Sequence, residues 1–470
     1  MSVLPDPKHA DQQTAPQLPA AAHWNYSADA KTEALICRIR DTYPPHLPAG
    51  LARFRHLLAA LDNPHLRLPP AFHVAGTNGK GSTVAFLQAM LEAGGKTVHR
   101  FISPHLVRFS ERIVIAGQEI DNAALHALVE EVDKAAAAVQ AAGHAISFFE
   151  FFTALSFLAF ARVPADAVLL ETGLGGLLDA TNVIEHPACA VITRISFDHM
   201  RTLGHTLPDI AAQKAGIIKT DCPVAIAPQF DDAVPVVFDE YAARVRASAV
   251  QLGARDWHVS AGGNGFLYQA GDVSFDLPLP ALAGAHQMLN AGAAITALRL
   301  SPFAALARQD ILAEAMRRVR WPGRLQRLET GALVALLPAG WELWVDGAHN
   351  DSGAESLRAQ VDSWARADGL PLHLVTAFKA RKSPDDFFER LAGCFTSAQT
   401  VHFGIDAPME PPADVAALLR GAGYDNVRVS ESLPAALGAP FFASAPRGRI
   451  IITGSLYLVG HALKLNGDSA

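Results

Sequence analysis

The chain has 470 residues, half of them hydrophobic and 18% charged, with a formal net charge of −7. That balance suits a globular protein of two to three domains, and it excludes the basic surface that a nucleic-acid or anionic-lipid binder needs. Four scattered cysteines, Cys37, Cys189, Cys222 and Cys394, form no C-x-x-C pair, which predicts reduced thiols in a cytoplasmic protein, not a disulfide or zinc framework.

Residues 1–25 are poor in aliphatics and carry several prolines and glutamines, so they read as a disordered lead-in without the basic-then-apolar order of a signal peptide. Helices are expected over Glu33–Arg40 and Leu51–Leu61, separated by Pro44, Pro45 and Pro48. The stretch Phe72-His-Val-Ala-Gly-Thr-Asn-Gly-Lys-Gly-Ser-Thr83 then reads as strand, tight loop and helix start, because Val84, Leu87, Met90 and Leu91 recur at helical spacing. This is the context of a phosphate-binding loop: Gly76, Thr77, Asn78, Gly79, Lys80, Gly81 and Ser82 offer backbone N–H groups, a helix N-terminus and one full positive charge. The spacing departs from G-x-x-x-x-G-K-[ST], since position 74 is Val and Gly81 separates Lys80 from Ser82. The plain structural alternative is a glycine-rich turn with a chance lysine.

A strand is expected over Thr97–Ile102, completing a βαβ unit, followed by a polar loop, Ser103–Arg112, and an alanine-rich helix over Asn122–Ala142. Ala145–Val163 is the most apolar stretch, but Glu150, Arg162 and Pro164 make it a buried helix and not a membrane span. Three more apolar strands follow: Ala167–Leu170 ending at Glu171, Ala190–Thr193 leading to Asp198 and His199, and Pro223–Ile226 after the helical Ile210–Lys219. Such strands alternating with helices imply a mostly parallel, doubly wound sheet, with ligands at the carboxyl ends of its strands. Lys80, Ser103, Glu171 and His199 all follow strand ends, so the fold would gather them at one edge. Phe266–Leu277 reads as a hairpin turning at Gly271-Asp272, and His286 opens a helix to about Leu300. After Trp321-Pro-Gly-Arg324 a second α/β pattern begins, with strands expected at Glu342–Val345, His373–Thr376, Val401–Phe403 and Arg449–Ile452. The expected organisation is therefore a P-loop ATPase domain over 26–321 and a smaller, Rossmann-like α/β domain over 322–470.

Taken one at a time, the site candidates stay open. Gly173-Leu-Gly-Gly176 is no dinucleotide fingerprint, because position 178 is Leu. Glu171 is better read as a ligand of Mg²⁺: a bare carboxylate about 4 Å from a phosphate oxygen is repelled by about 4 kcal/mol at an effective dielectric near 20, and a bridging hard cation reverses that sign. It could instead cap the following turn. His199 as a lone histidine, Lys214 as a snorkelling lysine, Arg324 as a hinge residue and Asp346-Gly-Ala-His-Asn350 as a turn all have ordinary structural readings.

Together the motifs decide. They are His73–Ser82, Ser103-Pro-His-Leu106, Glu111-Arg-Ile113, Phe148-Phe-Glu150, Glu171–Gly176, Asp179-Ala-Thr-Asn182, Phe197-Asp-His199, Lys214–Lys219, His286–Asn290, Pro322-Gly-Arg324, Asp346–Asn350 and Gly454-Ser-Leu-Tyr457. In these segments, in this order, the chain resembles the Mur ligase family, and within it the branch of dihydrofolate and folylpolyglutamate synthases. The resemblance implies an ATP-dependent amide ligase that adds L-glutamate to a pteroate or folate carboxylate through an acyl phosphate. A related ligase acting on another carboxylate, such as a UDP-muropeptide, and a P-loop NTPase without ligase activity are the alternatives. The resemblance further implies Lys80, His199 and a carbamylated Lys214 as catalytic residues, with Ser103, Glu171 and His199 holding Mg²⁺ and two such ions expected. It implies ATP contacts from the phosphate loop and from Asn290, Arg324, Asp346 and His349, and it makes Phe149, Glu150 and Ser455 candidates near the acid or amino acid. The partners it implies are small molecules met by a cytoplasmic monomer, with neither nucleic acid nor membrane. Arg201, Gln213 and Ser383 depart from the family pattern.

Overall fold

The computed structural model describes residues 27–45, 47–48, 50–380, 384–404, 408–438, 441–442 and 445–467. The expected lead-in over 1–25 and the departure at Ser383 lie outside them.

Helices α1 (Ala30–Thr42) and α2 (Ala52–Ala60) precede strand β1 (Ala71–Ala75), and α3 (Lys80–Ala93) follows it. Then come β2 (Val98–Phe101), the short strands β3 (Ile113–Ile115) and β4 (Gln118–Glu119), α4 (Asn122–Ala141) and α5 (Phe148–Arg162). The first half continues through β5 (Ala167–Glu171), β6 (Cys189–Ile192), α6 (Met200–Leu203), α7 (Leu207–Ala215), β7 (Pro223–Ile226), α8 (Ala233–Val245) and β8 (Ala249–Leu252). These strands form one eight-stranded sheet in the order β4-β3-β2-β5-β1-β6-β7-β8. It is parallel except for β3 and β4. The expected βαβ unit is thus opened by a later strand, because β5 inserts between β1 and β2.

The two-residue alternation along each strand decides what each face meets. In β5, Val168 and Leu170 enter a core with α1, α2, α4 and α5, while Ala167 and Leu169 enter the opposite core with α3 and α9 (His286–Leu300). Glu171 continues the second series, so its carboxylate emerges on the α3 side, beside β1 in register with Val74. The α5 helix carries apolar residues all round and is buried along its length, as a helix between a sheet and other helices must be. No helix among the described residues is long and apolar enough to cross a membrane.

Strands β9 (His258–Gly262), β10 (Gly265–Ala270) and β11 (Val273–Pro278) make a small antiparallel sheet, its β10–β11 hairpin turning where the sequence predicts. After α10 (Gln309–Arg318) come β12 (Gln326–Leu328), β13 (Trp341–Val345), α11 (Asp351–Ala367), β14 (Leu372–Thr376) and α12 (Pro384–Arg390). The chain closes with β15 (Ser397–Val401), α13 (Pro412–Gly421), β16 (Val427–Ser430), α14 (Leu433–Leu437), β17 (Gly448–Thr453) and α15 (Leu456–Asn466). The order of this second sheet is β12-β13-β17-β14-β15-β16, with only β12 antiparallel. The strand expected at Val401–Phe403 is in fact Ser397–Val401. Its polar residues are buried yet satisfied: Gln399 Nε2 donates to Ala436 O, and Thr400 Oγ1 to Pro412 O.

Candidate active site

The loop after β1 closes tightly because it is glycine at two points. Gly76 and Gly79 have φ of +152° and +93°. A methyl group at Gly76 would overlap the Thr193 side chain, and one at Gly79 the Asn290 carboxamide. Thr77 N–H and Asn78 N–H donate to Arg194 O at the end of β6, at 3.0 and 3.4 Å. Gly81 lies under the indole of Trp321, whose ring atoms would sit 2.8 Å from an added Cβ. Lys80 Nζ folds back to donate to Gly76 O (3.1 Å) and Thr77 O (3.2 Å). Lys214 Nζ donates to the same Gly76 oxygen at 2.8 Å. Two lysine side chains therefore share one carbonyl. Lys214 is buried, and that burial, followed by the charge of Lys80, pushes its pKa down to about 7 against the pull of Asp198 and Asp179.

Glu171 is buried at the end of β5, where its Oε2 accepts from Ser103 N–H at 3.4 Å. Burial raises its pKa, while Lys80 and then Arg324 oppose the rise. The loop that carries Ser103 is splinted by Glu111, whose carboxylate accepts from the N–H groups of Leu106, Val107 and Arg108 at 2.7, 3.0 and 2.6 Å. Its Leu106 and Val107 pack against the core of the second sheet.

His199 stands in a left-handed conformation (φ +51°), with a half-exposed ring and Nε2 3.7 Å from Asp198 Oδ1. The other oxygen of Asp198 lies 3.5 Å from His349 Nε2. Asp198, which sequence reasoning noted only as a neighbour of His199, thus brings together histidines from the two sheets. Asp346 accepts from Leu325 N–H (2.7 Å) and Ala348 N–H (2.8 Å), fixing the turn after β13 against the segment that carries Arg324. Asn290 Nδ2 donates to Gln287 Oε1 at 2.9 Å. His286 has a pKa lowered by burial, with Asp346 opposing and Arg324 and Arg194 adding to the depression. Asp179, also missed as a site residue, holds the Gly173 and Leu174 N–H groups at 2.9 and 2.8 Å and shapes the loop after Glu171.

Three candidates carry structural tasks. Glu150 accepts from Ser147 N–H and Oγ at the start of α5 and pairs with Arg53 at 2.9 Å. Ser455 caps α15, accepting from Tyr457 N–H at 3.1 Å. The Phe149 ring lies over Gly173, leaving no room for a side chain there.

Glu171 and the Ser103 hydroxyl are hard oxygen donors, and the buried carboxylate has a single weak hydrogen bond, so a divalent cation suits it. Among the described residues no three His, Cys, Asp or Glu side chains cluster at metal-binding distance. Water and phosphate oxygens would therefore complete the shell.

A profile described as "Mur ligase middle domain" matches residues 74–298, and one described as "Dihydrofolate synthetase, C-terminal domain" matches residues 335–465. The Bacillus subtilis dihydrofolate synthase/folylpolyglutamate synthase is 33% identical over 427 residues, covering 88% of this chain and 94% of that one. The chain belongs to the dihydrofolate synthase/folylpolyglutamate synthase family. The Mycobacterium tuberculosis member is 33% identical over 454 residues (89% and 90% of the two chains). A solved M. tuberculosis folylpolyglutamate synthase, complexed with ADP and AMPPCP, superposes with a TM-score of 0.80 at 29% identity, covering 93% and 99%. Escherichia coli FolC in complex with DHPP and ADP superposes with a TM-score of 0.79 at 25% identity, covering 92% and 97%. As a member of the dihydrofolate synthase/folylpolyglutamate synthase family, this chain is an enzyme, an ATP-dependent ligase, and the muropeptide alternative falls away.

Proposed function

We propose that this ligase adds L-glutamate to dihydropteroate, to (tetrahydro)folate polyglutamates, or to both, releasing ADP and phosphate. The observation that carries this reading is the convergence of Lys80, Ser103 and Glu171 at the carboxyl ends of the first sheet's strands, with the turn after β13 held over them by the Asn350–Asn78 and His349–Asp198 contacts. The names of the relatives supply the substrate class.

A carboxylate resists attack by an amine because it has no good leaving group, so phosphorylation must come first. In this reading the loop amides from Gly76 to Ser82 and Lys80 hold the triphosphate, Lys80 leaving its two carbonyls for phosphate oxygens. Asn290, Arg324, Asp346 and His349 bind the rest of ATP across the closure. Glu171, Ser103 and His199 would hold Mg²⁺, which when bound draws charge from the β- and γ-phosphates. The substrate carboxylate takes the γ-phosphoryl group, the glutamate amine attacks the acyl carbon, and phosphate departs. The remaining burden falls on positioning and charge neutralisation. Lys214 with a pKa near 7 holds a large share of free amine at neutral pH; that amine adds CO₂ and releases a proton to water, giving a carbamate anion that would support a second Mg²⁺. Residues 26–321 act here as the ATP-binding unit and 322–470 as the unit receiving glutamate, in a cytoplasmic monomer.

The deciding experiment incubates the protein with Mg-ATP, L-glutamate and either dihydropteroate, tetrahydrofolate or a UDP-muropeptide, following ADP and glutamylated product together. ADP matched by product with a pteroate-type acid is expected. ADP release independent of any such acid would overturn the reading.

A further inference from the structure

The turn after β13 does more than reach toward the nucleotide. Asn350 and Asn78, 272 residues apart, form a reciprocal amide pair: Asn78 Nδ2 donates to Asn350 Oδ1 at 3.0 Å, and Asn350 Nδ2 donates to Asn78 Oδ1 at 3.1 Å. Asn350 is buried, and its Oδ1 also accepts from Gly353 N–H at 2.9 Å as the N-cap of α11. One turn further along α11, Glu355 pairs with Arg194. The carbonyl of that arginine accepts the phosphate-loop N–H groups of Thr77 and Asn78. Two independent ties therefore run from the start of one helix of the second sheet to the phosphate loop, one to the Asn78 side chain and one, through Arg194, to the Thr77 and Asn78 backbone.

The geometry points to Asn350 as a positioning residue that sets the conformation of the phosphate loop from the second sheet, with Glu355 steadying the same loop through Arg194. The physical reason lies in the loop itself. Gly76 and Gly79 give the loop backbone freedom beyond its ties to Arg194 and Ser196, and an amide fixed at a helix N-terminus is a rigid anchor. A reciprocal amide pair also selects one orientation of Asn78, which a single bond would not. The ordering of the loop thus depends on the second sheet being docked, so the triphosphate site is complete only when the half of the protein that meets the other substrates is in place. The inference rests on the reading that this loop binds ATP.

The test uses Asn350→Ser, which keeps a capping oxygen for Gly353 N–H but is too short to reach Asn78. In the nucleotide-free protein, hydrogen–deuterium exchange over Gly76–Lys80 is expected to quicken, with α11 protected as in the wild type. kcat/KM for Mg-ATP is expected to fall roughly tenfold, the loss of a buried hydrogen-bonded pair. The double variant Asn78→Ala/Asn350→Ser should be no worse than about twofold beyond the more impaired single, because both changes break one interaction. Unchanged exchange in the loop, or losses that multiply across the double variant, would overturn the inference and leave Asn350 as a helix cap alone. If the serine variant does not fold, Asn350→Asp keeps the cap and loses one of the two amide bonds, and the same exchange measurement decides. Exchange needs no turnover, so an enzyme inactive on every acid would sink the ligase reading while the loop coupling is still judged.

Discussion

Replacing Lys214 by methionine should stabilise the protein at neutral pH while abolishing turnover. The lysine is buried among elements that hold its pKa near 7 against an ordinary 10.5. At about 1.4 kcal/mol per tenfold, that depression corresponds to roughly 5 kcal/mol of penalty on folding with the amine charged. The unfolded chain keeps the proton up to pH 10.5 and the folded one releases it near 7, so wild-type stability rises with pH across that window and is flat below it. Methionine has similar volume and no charge. It forfeits the hydrogen bond to Gly76 O, a loss of about 2 kcal/mol for a charged donor, which leaves a net gain of about 2–3 kcal/mol at pH 7. The assay is thermal unfolding of both proteins at pH 7 and pH 9.5 in CO₂-free buffer, alongside ADP formation with and without bicarbonate. The methionine variant should melt higher at pH 7, and the advantage should vanish or reverse by pH 9.5. Bicarbonate should raise the activity of the wild type only. A variant that melts lower at pH 7 by a margin independent of pH would refute the burial argument, and one that turns over normally would refute the catalytic assignment.

Two further predictions concern neighbouring groups. Glu171→Gln keeps the acceptor for Ser103 N–H and removes a buried charge, so it should melt no lower than the wild type yet lose about 10²–10³-fold in ATP cleavage, with no remaining response to Mg²⁺; a Mg²⁺ titration that still matches the wild type would return Glu171 to a structural role. Gly81→Ala forces a methyl against the Trp321 indole at 2.8 Å and should cost about 1–3 kcal/mol in stability or an equivalent loss in kcat/KM for ATP; recovery on adding Trp321→Phe would confirm the clash as the cause, and an unimpaired single variant would dismiss it.

Much of this arrangement was legible because parallel sheets are written as short apolar runs that end in chemistry. The polar residues after β1, β2, β5 and β6 stood out against Phe72–Ala75 or Ala167–Leu170, and topology alone placed them at one edge. What escaped was whatever depends on partners far along the chain. Strand Ser397–Val401 has too many polar residues to look buried, because Gln399 and Thr400 are satisfied only by carbonyls of Ala436 and Pro412. Strand β9 is mostly exposed and pairs by backbone alone, so it has no apolar rhythm to read. The glycine at position 81 departs from the common loop spacing, and its steric reason is Trp321, 240 positions on, whose ring lies against it. Asp198 and Asn350 sat inside recognisable motifs, yet nothing local shows that one lies between His199 and His349 or that the other grips Asn78.

The phenylalanine-rich helix α5 carries a consequence for biosynthesis. Apart from Glu150, neutralised by Arg53, and the terminal Arg162, it offers water nothing but apolar surface and two hydroxyl residues hydrogen-bonded to their own helix. Every buried residue of the core that covers it falls between Ile36 and Ile184, so its shelter needs no part of the chain beyond that point. A nascent chain can cover this helix once about residue 185 has emerged from the ribosome, before the second sheet exists. A chain cut short within α5 or β5 would instead emerge with its stickiest surface bare. Aggregation should therefore concentrate in truncations ending just before that point.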